Sequence, residues 1–309
     1  MTPYPDGWYA VAYSEELSRG AATPATYFGR DWVLYRSESG QPKVLAAYCP
    51  HLGAHLGHGG CVEGETIACP FHKWRFDGAG ECVAIPYAKK IPPRARVDAL
   101  AARDLNGFVM VWWSAANAQP TWEPPALAEL ADAEWTELER RQWRVRTHVQ
   151  ETNENNCDSA HLAHLHGLVD PQTTAELDGA VLHVKTHAKV DAARIGLPGE
   201  LEGDIEGTHW GLGMLRQRFR IFVDGILLSL VTPVDDEHVD IRFAFTLKKL
   251  ATAELTAQVK SMMIGDIARD VEDDIRIWEH KQYLERPMLC DGDGPIQVAR
   301  KWARAFYPQ

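Results

Sequence analysis

The chain has 309 residues, 45% hydrophobic and 24% charged, enough for two ordinary domains or one large one with a sizeable buried core. Its formal net charge of −11 argues against a nucleic-acid partner, and its longest apolar runs, such as Ile226–Val231, fall well short of the ~20 residues that span a bilayer. Six cysteines in so long a chain make no disulfide framework, and Met1–Asp6 shows no basic, apolar leader, so the expectation is a reducing, cytoplasmic location.

The first third consists of short apolar segments broken by Gly, Pro and Asp-Gly. Val33–Tyr35, Val44–Tyr48 and Gly107–Trp113 read as strands of a small all-β domain. The Pro-bearing stretch Gln119–Pro125 marks a boundary near residue 118, giving domains 1–118 and 119–309. Residues 152–166 are polar and His-rich with helical spacing. Strands are expected around 181–190, 216–223, 226–232 and 239–247, with Asp224-Gly225 as a hairpin turn between two of them. From Thr252 to Leu284, Val259, Met263, Ile267, Val271, Ile275 and Trp278 recur at intervals of three and four, the pattern of a long amphipathic helix. The overall fold class is α+β, with a pocket between sheet and helix in the second domain.

Two constellations carry chemistry. Cys49-Pro50-His51 and Cys69-Pro70-Phe71-His72 place one thiolate and one imidazole on each of two loops, with seventeen residues between His51 and Cys69. A [2Fe–2S] cluster with two Cys on one iron and two His on the other needs this arrangement. Tetrahedral zinc takes the same ligand types, but common zinc modules pair Cys with Cys and His with His, whereas each pair here is mixed. Gly53, Gly57, Gly59 and Gly60 allow the first loop to turn tightly. His55 and His58 read as loop-packing residues, and Cys61, Cys82, Cys157 and Cys290 as buried or incidental thiols.

The second constellation is Asp158-x2-His161-x4-His166. Two His and one carboxylate form a facial triad that leaves positions open on Fe(II) for dioxygen and substrate. On an ideal helix His161 and His166 lie about 60° and 80° to either side of Asp158, so the helix must bend or loosen between them. His164, about 120° from Asp158, points elsewhere. The long helix offers Asp266, Asp270, Glu272, Asp273 and Asp274 as the carboxylate. Asp274 falls about 20° from Ile267 on the apolar stripe, where a carboxylate needs a partner such as a metal; Asp270 lies at its edge and is the alternative.

Over roughly residues 8–114 the sequence resembles the Rieske family, and Cys69–Gly78 resembles the second ligand loop of ring-hydroxylating oxygenases. Lys73 departs from the Gly or Asp that many relatives carry. Ala54 and Phe71 stand where respiratory-chain Rieske proteins have their extra disulfide cysteines, which favours the oxygenase or ferredoxin type. Asp158-x2-His161-x4-His166 resembles the iron-binding signature of Rieske oxygenases, and Asp274–Lys281 the segment bearing the carboxylate ligand in steroid-acting members. Cys82–Pro92, with the Trp278 segment, resembles the branch containing 3-ketosteroid 9α-hydroxylases and cholesterol 7-desaturases.

The resemblance implies an N-terminal Rieske [2Fe–2S] domain followed by a helix-grip (START-like) catalytic domain with an antiparallel sheet and a long C-terminal helix. It implies Cys49, His51, Cys69 and His72 as cluster ligands, and His161, His166 and Asp274 as ligands of a mononuclear iron. Asp158 would be the catalytic bridge between a Rieske histidine of a neighbouring subunit and an iron histidine of its own, in a homotrimer. O2 would be co-substrate, with electrons from NAD(P)H through a reductase, sometimes with a ferredoxin. The substrate would be hydrophobic and sterol- or steroid-like, undergoing hydroxylation or desaturation; O- or N-demethylation and aromatic hydroxylation are the alternatives within the family. A reading from another class is a non-enzymatic Rieske electron carrier. Lys73, Arg75, Lys89, Lys90, Arg94 and Arg96 form a basic run suited to an acidic redox partner.

Overall fold

Every residue of Phe108–Trp113 is apolar and every one is buried, the pattern of a strand packed on both faces. The computed structural model describes residues 4–195 and 198–308. It divides into two units: Met1–Ala126 with Pro233–Asp236, and Leu127–Thr232 with Glu237–Gln309.

The first unit runs β1 (Gly7–Tyr13), β2 (Ala22–Tyr27), β3 (Arg30–Arg36), β4 (Pro42–Ala46), β5 (Cys61–Glu63), β6 (Thr66–Ala68), β7 (Arg75–Phe76), β8 (Cys82–Ala84), β9 (Ala99–Leu100), β10 (Ala102–Leu105) and β11 (Phe108–Trp113). They form three sheets, ordered β1-β11-β10, β2-β3-β4-β9 and β5-β6-β7-β8. The Cys/His loops leave β4 and β6, so both start from strands pinned in the core by Leu45 and Ile67. Elsewhere in this unit Phe28 stacks on Trp113 at 4.3 Å, and Tyr9 meets Phe28 edge-on at 5.2 Å.

The second unit runs β12 (Glu139–Arg146), α1 (Val149–Glu154), α2 (Ser159–His164), β13 (Val169–Asp178), β14 (Val181–Asp191), β15 (Glu200–Trp210), β16 (Met214–Arg220), β17 (Asp224–Pro233), β18 (His238–Leu247), α3 (Ala253–Trp278) and α4 (Ile296–Ala303). One seven-stranded sheet has the order β12-β18-β17-β16-β15-β14-β13. β12 and β13 are consecutive in sequence yet occupy opposite edges. The chain between them must therefore cross six strand spacings, about 29 Å, and it does so as α1 and α2. After β18, α3 packs against β12 and β18. Among the described residues no helix is long and apolar enough to cross a membrane.

Two sequence expectations need correction. Asp224 and Gly225 are not the hairpin turn but the first residues of β17, paired with Arg220 and Phe219. Asp224 is held in the ladder by a bidentate pair with Arg218, at 2.7 and 2.6 Å. The long helix stops at Trp278 rather than Leu284, because the chain beyond it turns to place Tyr283 against His148 and Arg300.

His209 on β15 is fully buried and ties the crossing segment to the sheet. The Asn153 amide donates to the carbonyls of Val149 (2.8 Å) and Leu212 (2.9 Å), which turns its oxygen towards His209. Nδ1 of His209 therefore donates to Asn153 Oδ1 at 2.9 Å, as a neutral ring. Burial pushes the His209 pKa down to about 3. The unfolded ring takes up a proton near pH 6.5, so between about pH 6.5 and 3 the unfolded state binds the extra proton and stability falls as pH falls. The expected slope from this residue is about 1.4 kcal/mol per pH unit in that window. Denaturant unfolding of wild type and His209→Gln across pH 4–7 checks it: the two stability curves should converge on acidification, and parallel curves would exclude His209 as the source.

Candidate metal centres

The two Cys/His loops close in the same way. Cys49 N–H donates to Ala54 O (2.9 Å) and Gly53 N–H returns to Cys49 O (2.9 Å); Cys69 N–H donates to Trp74 O (2.8 Å) and Lys73 N–H returns to Cys69 O (3.1 Å). The fifth residue of each loop is left-handed: Gly53 has φ +75° and Lys73 φ +59°. Lys73 thus occupies a position that suits glycine. Its departure from the family pattern therefore falls on a position with a backbone demand.

Cys49 and Cys69 are buried, each 2% exposed. Burial pushes the Cys49 thiol up to about 11, and the Cys69 thiol lies beside it. A metal's positive charge reverses that preference and holds the thiolate. The His51 and His72 rings lie 4.8 Å apart. Trp74 stacks on His51 at 4.7 Å with a 9° tilt, and its indole N–H donates to the Tyr87 hydroxyl at 2.8 Å. A single tetrahedral zinc would gather all four donors at one point. Among the described residues, only His161, His166 and Asp274 converge in that way. The thiol pair beside the imidazole pair instead fits a two-iron cluster with Cys on one iron and His on the other. Nδ1 of His55 accepts from Gly57 N–H (3.0 Å), a loop-holding role, and Cys61, Cys82, Cys157 and Cys290 are all free thiols.

In the second unit the wide angular spread of the two histidines is resolved by ending the helix. Asp158 is extended (φ −97°, ψ 94°) and caps α2, its Oδ1 accepting from His161 N–H at 2.9 Å. α2 ends at His164, and Gly167 (φ +69°) reverses the chain, so His166 is not bound by helical geometry. Nδ1 of His161 bonds the carbonyl of Asp158 at 3.0 Å. His161 thus meets Asp158 twice through local bonds, its backbone N–H to the carboxylate and its ring to the carbonyl. A donating Nδ1 leaves Nε2 as the lone-pair nitrogen, and it lies 3.6 Å from Asp274 Oδ1. Nε2 of His166 lies 3.2 Å from the same oxygen. The three donors fall within 4.8 Å of one another. Burial holds the His161 pKa below its ordinary value, so the ring stays neutral and able to ligate.

The acidic face of α3 sorts itself. Asp266 and Asp273 pair with Arg269 and Arg276, Glu272 is exposed, and Asp274 faces both imidazoles. Asp270 is partly exposed and lies 3.7 Å from the other ring nitrogen of His166. His164 is exposed. The three converging groups border a cavity of about 820 Å³, counting its open mouth, walled by Leu215, Phe219, Leu227, Ile241 and Phe243 from the sheet and by Ile267, Val271 and Trp278 from α3.

Left-handed backbone costs an L-residue about 1–2 kcal/mol, against about 0.5–1 kcal/mol of extra chain entropy for glycine. Lys73→Gly should therefore raise the stability of the first unit by roughly 0.5–1 kcal/mol in denaturant unfolding. Unchanged or lower stability would show that Lys73 sits there without strain.

Residues 7–99 match the Rieske [2Fe-2S] domain and residues 111–307 the 3-ketosteroid 9alpha-hydroxylase C-terminal domain. Among curated proteins, the chain is 32% identical to a Xenopus laevis cholesterol 7-desaturase, covering 98% of this chain and 72% of that protein. It is 28% identical to the oxygenase component of a Rhodococcus rhodochrous 3-ketosteroid-9-alpha-monooxygenase, covering 99% and 84%. Among solved structures, dicamba monooxygenase bound to dicamba shares the fold with a TM-score of 0.77 at 17% identity, over 97% of this chain and 96% of that one. NdmA of Pseudomonas putida CBB5 does so with a TM-score of 0.77 at 16% identity, over 96% and 88%. Two facing Cys/His loops, a convergent His/His/Asp site and these matches lead to one conclusion: the chain belongs to the Rieske non-haem iron oxygenases, on the branch defined by the 3-ketosteroid 9α-hydroxylase catalytic domain.

Proposed function

We propose that this chain oxidises a sterol- or steroid-like substrate as the terminal component of its electron-transfer system. The observation that carries the reading is the convergence of His161, His166 and Asp274 on the wall of a largely apolar cavity between the sheet and α3. In this reading residues 1–118 form the cluster domain, with Cys49, His51, Cys69 and His72 as ligands, and 119–309 the catalytic domain. His161, His166 and Asp274 hold one mononuclear iron. When bound, the metals supply electron storage and activation of O2 towards a C–H bond.

The chain's own residues do the rest. The aliphatic and aromatic walls exclude water and hold a rigid hydrocarbon skeleton beside the triad. The Asp158 carbonyl fixes the His161 ring so that Nε2 faces the site. One Asp158 carboxylate oxygen caps α2; the other is the one a cluster histidine of a neighbouring subunit would meet in a homotrimer. Electrons come from NAD(P)H through a reductase or ferredoxin. Arg75 and Arg96 are paired with Glu63 (3.1 Å) and Glu81 (3.5 Å), which leaves the exposed Lys73, Lys89, Lys90 and Arg94 as the basic surface for an acidic partner. Four cysteines besides the two cluster ligands, none of them in a disulfide, suit a reducing, cytoplasmic setting. A bare electron carrier has no use for the convergent triad or the cavity beside it.

Turnover of a panel of sterols, 3-ketosteroids and methoxy- or N-methyl aromatics, with a generic reductase, tests the substrate class. Product from a steroid and none from the aromatics is expected, and the reverse would assign the chain to demethylation or aromatic hydroxylation. Asp274→Ala should abolish turnover and keep the Rieske paramagnetic resonance signal, while Asp270→Ala retains product formation. The opposite pattern would make Asp270 the ligand. Turnover limited by the redox partner should slow as salt rises, and less steeply in Lys89→Glu/Lys90→Glu; insensitivity to both would remove the proposed docking surface.

A further inference from the structure

Gln217 breaks the pattern of the cavity wall. Along β16, Leu215, Gln217 and Phe219 line the cavity, as alternate residues of one strand face do. Register sets Gln217 beside Leu227 of β17 on one side and Gly207 of β15 on the other. A polar residue at the middle of an apolar face costs free energy unless it has partners. Gln217 has one: Nε2 lies 2.5 Å from Oδ1 of Asn156, which reaches the same cavity from the turn just before Asp158.

We infer that the Asn156–Gln217 amide pair recognises a single hydroxyl or carbonyl oxygen on an otherwise hydrocarbon substrate. This rests on the steroid-like reading above and sharpens it. Each amide carries one carbonyl and one amino group. One N–H···O bond between them leaves a carbonyl on one amide and an amino group on the other, whichever way round either amide is placed. Both residues line the main cavity and also a smaller one beside it. A substrate hydroxyl can donate to the carbonyl and accept from the amino group; a ketone can accept from the amino group. A plain hydrocarbon can do neither, and would strip water from both groups without replacing its hydrogen bonds. Thr152, another polar group on this wall, already donates its hydroxyl to Val149 O at 2.8 Å. Ser229, on β17, offers a single hydroxyl that can donate or accept, and the test below separates it from the amide pair.

The test is equilibrium dialysis of the anaerobic holoenzyme with androstane, androstan-3-one, androstan-3β-ol and androstan-17-one, which reads binding without turnover. At least one oxygenated ligand should bind roughly 10-fold or more tightly than androstane. Gln217→Leu, or Gln217→Met if the first variant loses its Rieske spectrum, should bring that ligand's Kd to the androstane value. Equal affinity for androstane and all its oxygenated forms overturns the inference while leaving a steroid-binding cavity. Preference that survives both substitutions, or that Ser229→Ala removes instead, also overturns it. Binding of none of the four removes the steroid reading and this inference together.

Discussion

A carboxylate from the helix after the sheet meets two imidazoles from the segment that joins its two edge strands, and the second unit is arranged around that meeting. The edge positions of β12 and β13 force the histidine-bearing chain across the sheet, and α3 then brings Asp274 to it. Asp274 is 12% exposed and stands on the helix face that also buries Val271 and Trp278. A carboxylate on an otherwise apolar helix face calls for a cation beside it. A divalent metal supplies one, and it is also the group on which the family's chemistry depends.

The first unit answers a different demand with the same economy of backbone. Two iron ions need two kinds of ligand held apart by type, and two loops with matching closures place thiols together and imidazoles together. Strain is accepted at Lys73 to keep that closure. Trp74 locks His51 by stacking and is itself held by Tyr87, so the imidazole edge of this centre is fixed by aromatic packing as well as by the loop.

Much of this was legible in the sequence because metal ligands and apolar stripes leave short, strong patterns. The Cys/His loops stand out by residue type, and Asp274 by its place on the stripe of α3. In the second unit three strands were not anticipated. β12 is nearly all charged outside, β13 contains Pro171, and β15 carries Gly203, Gly207 and several acids. These segments are poor strand formers alone and are strands because neighbours complete their ladders. The spacing required the helix to bend or loosen between His161 and His166 but did not show how: Asp158 starts α2 late and the chain leaves it at His164, before Gly167. Trp74 and Tyr87 were visible as letters, but stacking on a ligand is a property of the folded loops. Gln217 and Asn156 are distant in sequence, and only the register of β16 makes them a pair.

The measurement that tests the two-centre architecture most directly is iron and acid-labile sulfide determination on anaerobically purified protein. Three irons and two sulfides per chain are expected, two irons with the sulfides at the Cys/His loops and one without sulfide at His161, His166 and Asp274. Two irons and two sulfides in iron-replete protein would contradict the mononuclear site. Zinc in place of iron and sulfide would contradict the cluster.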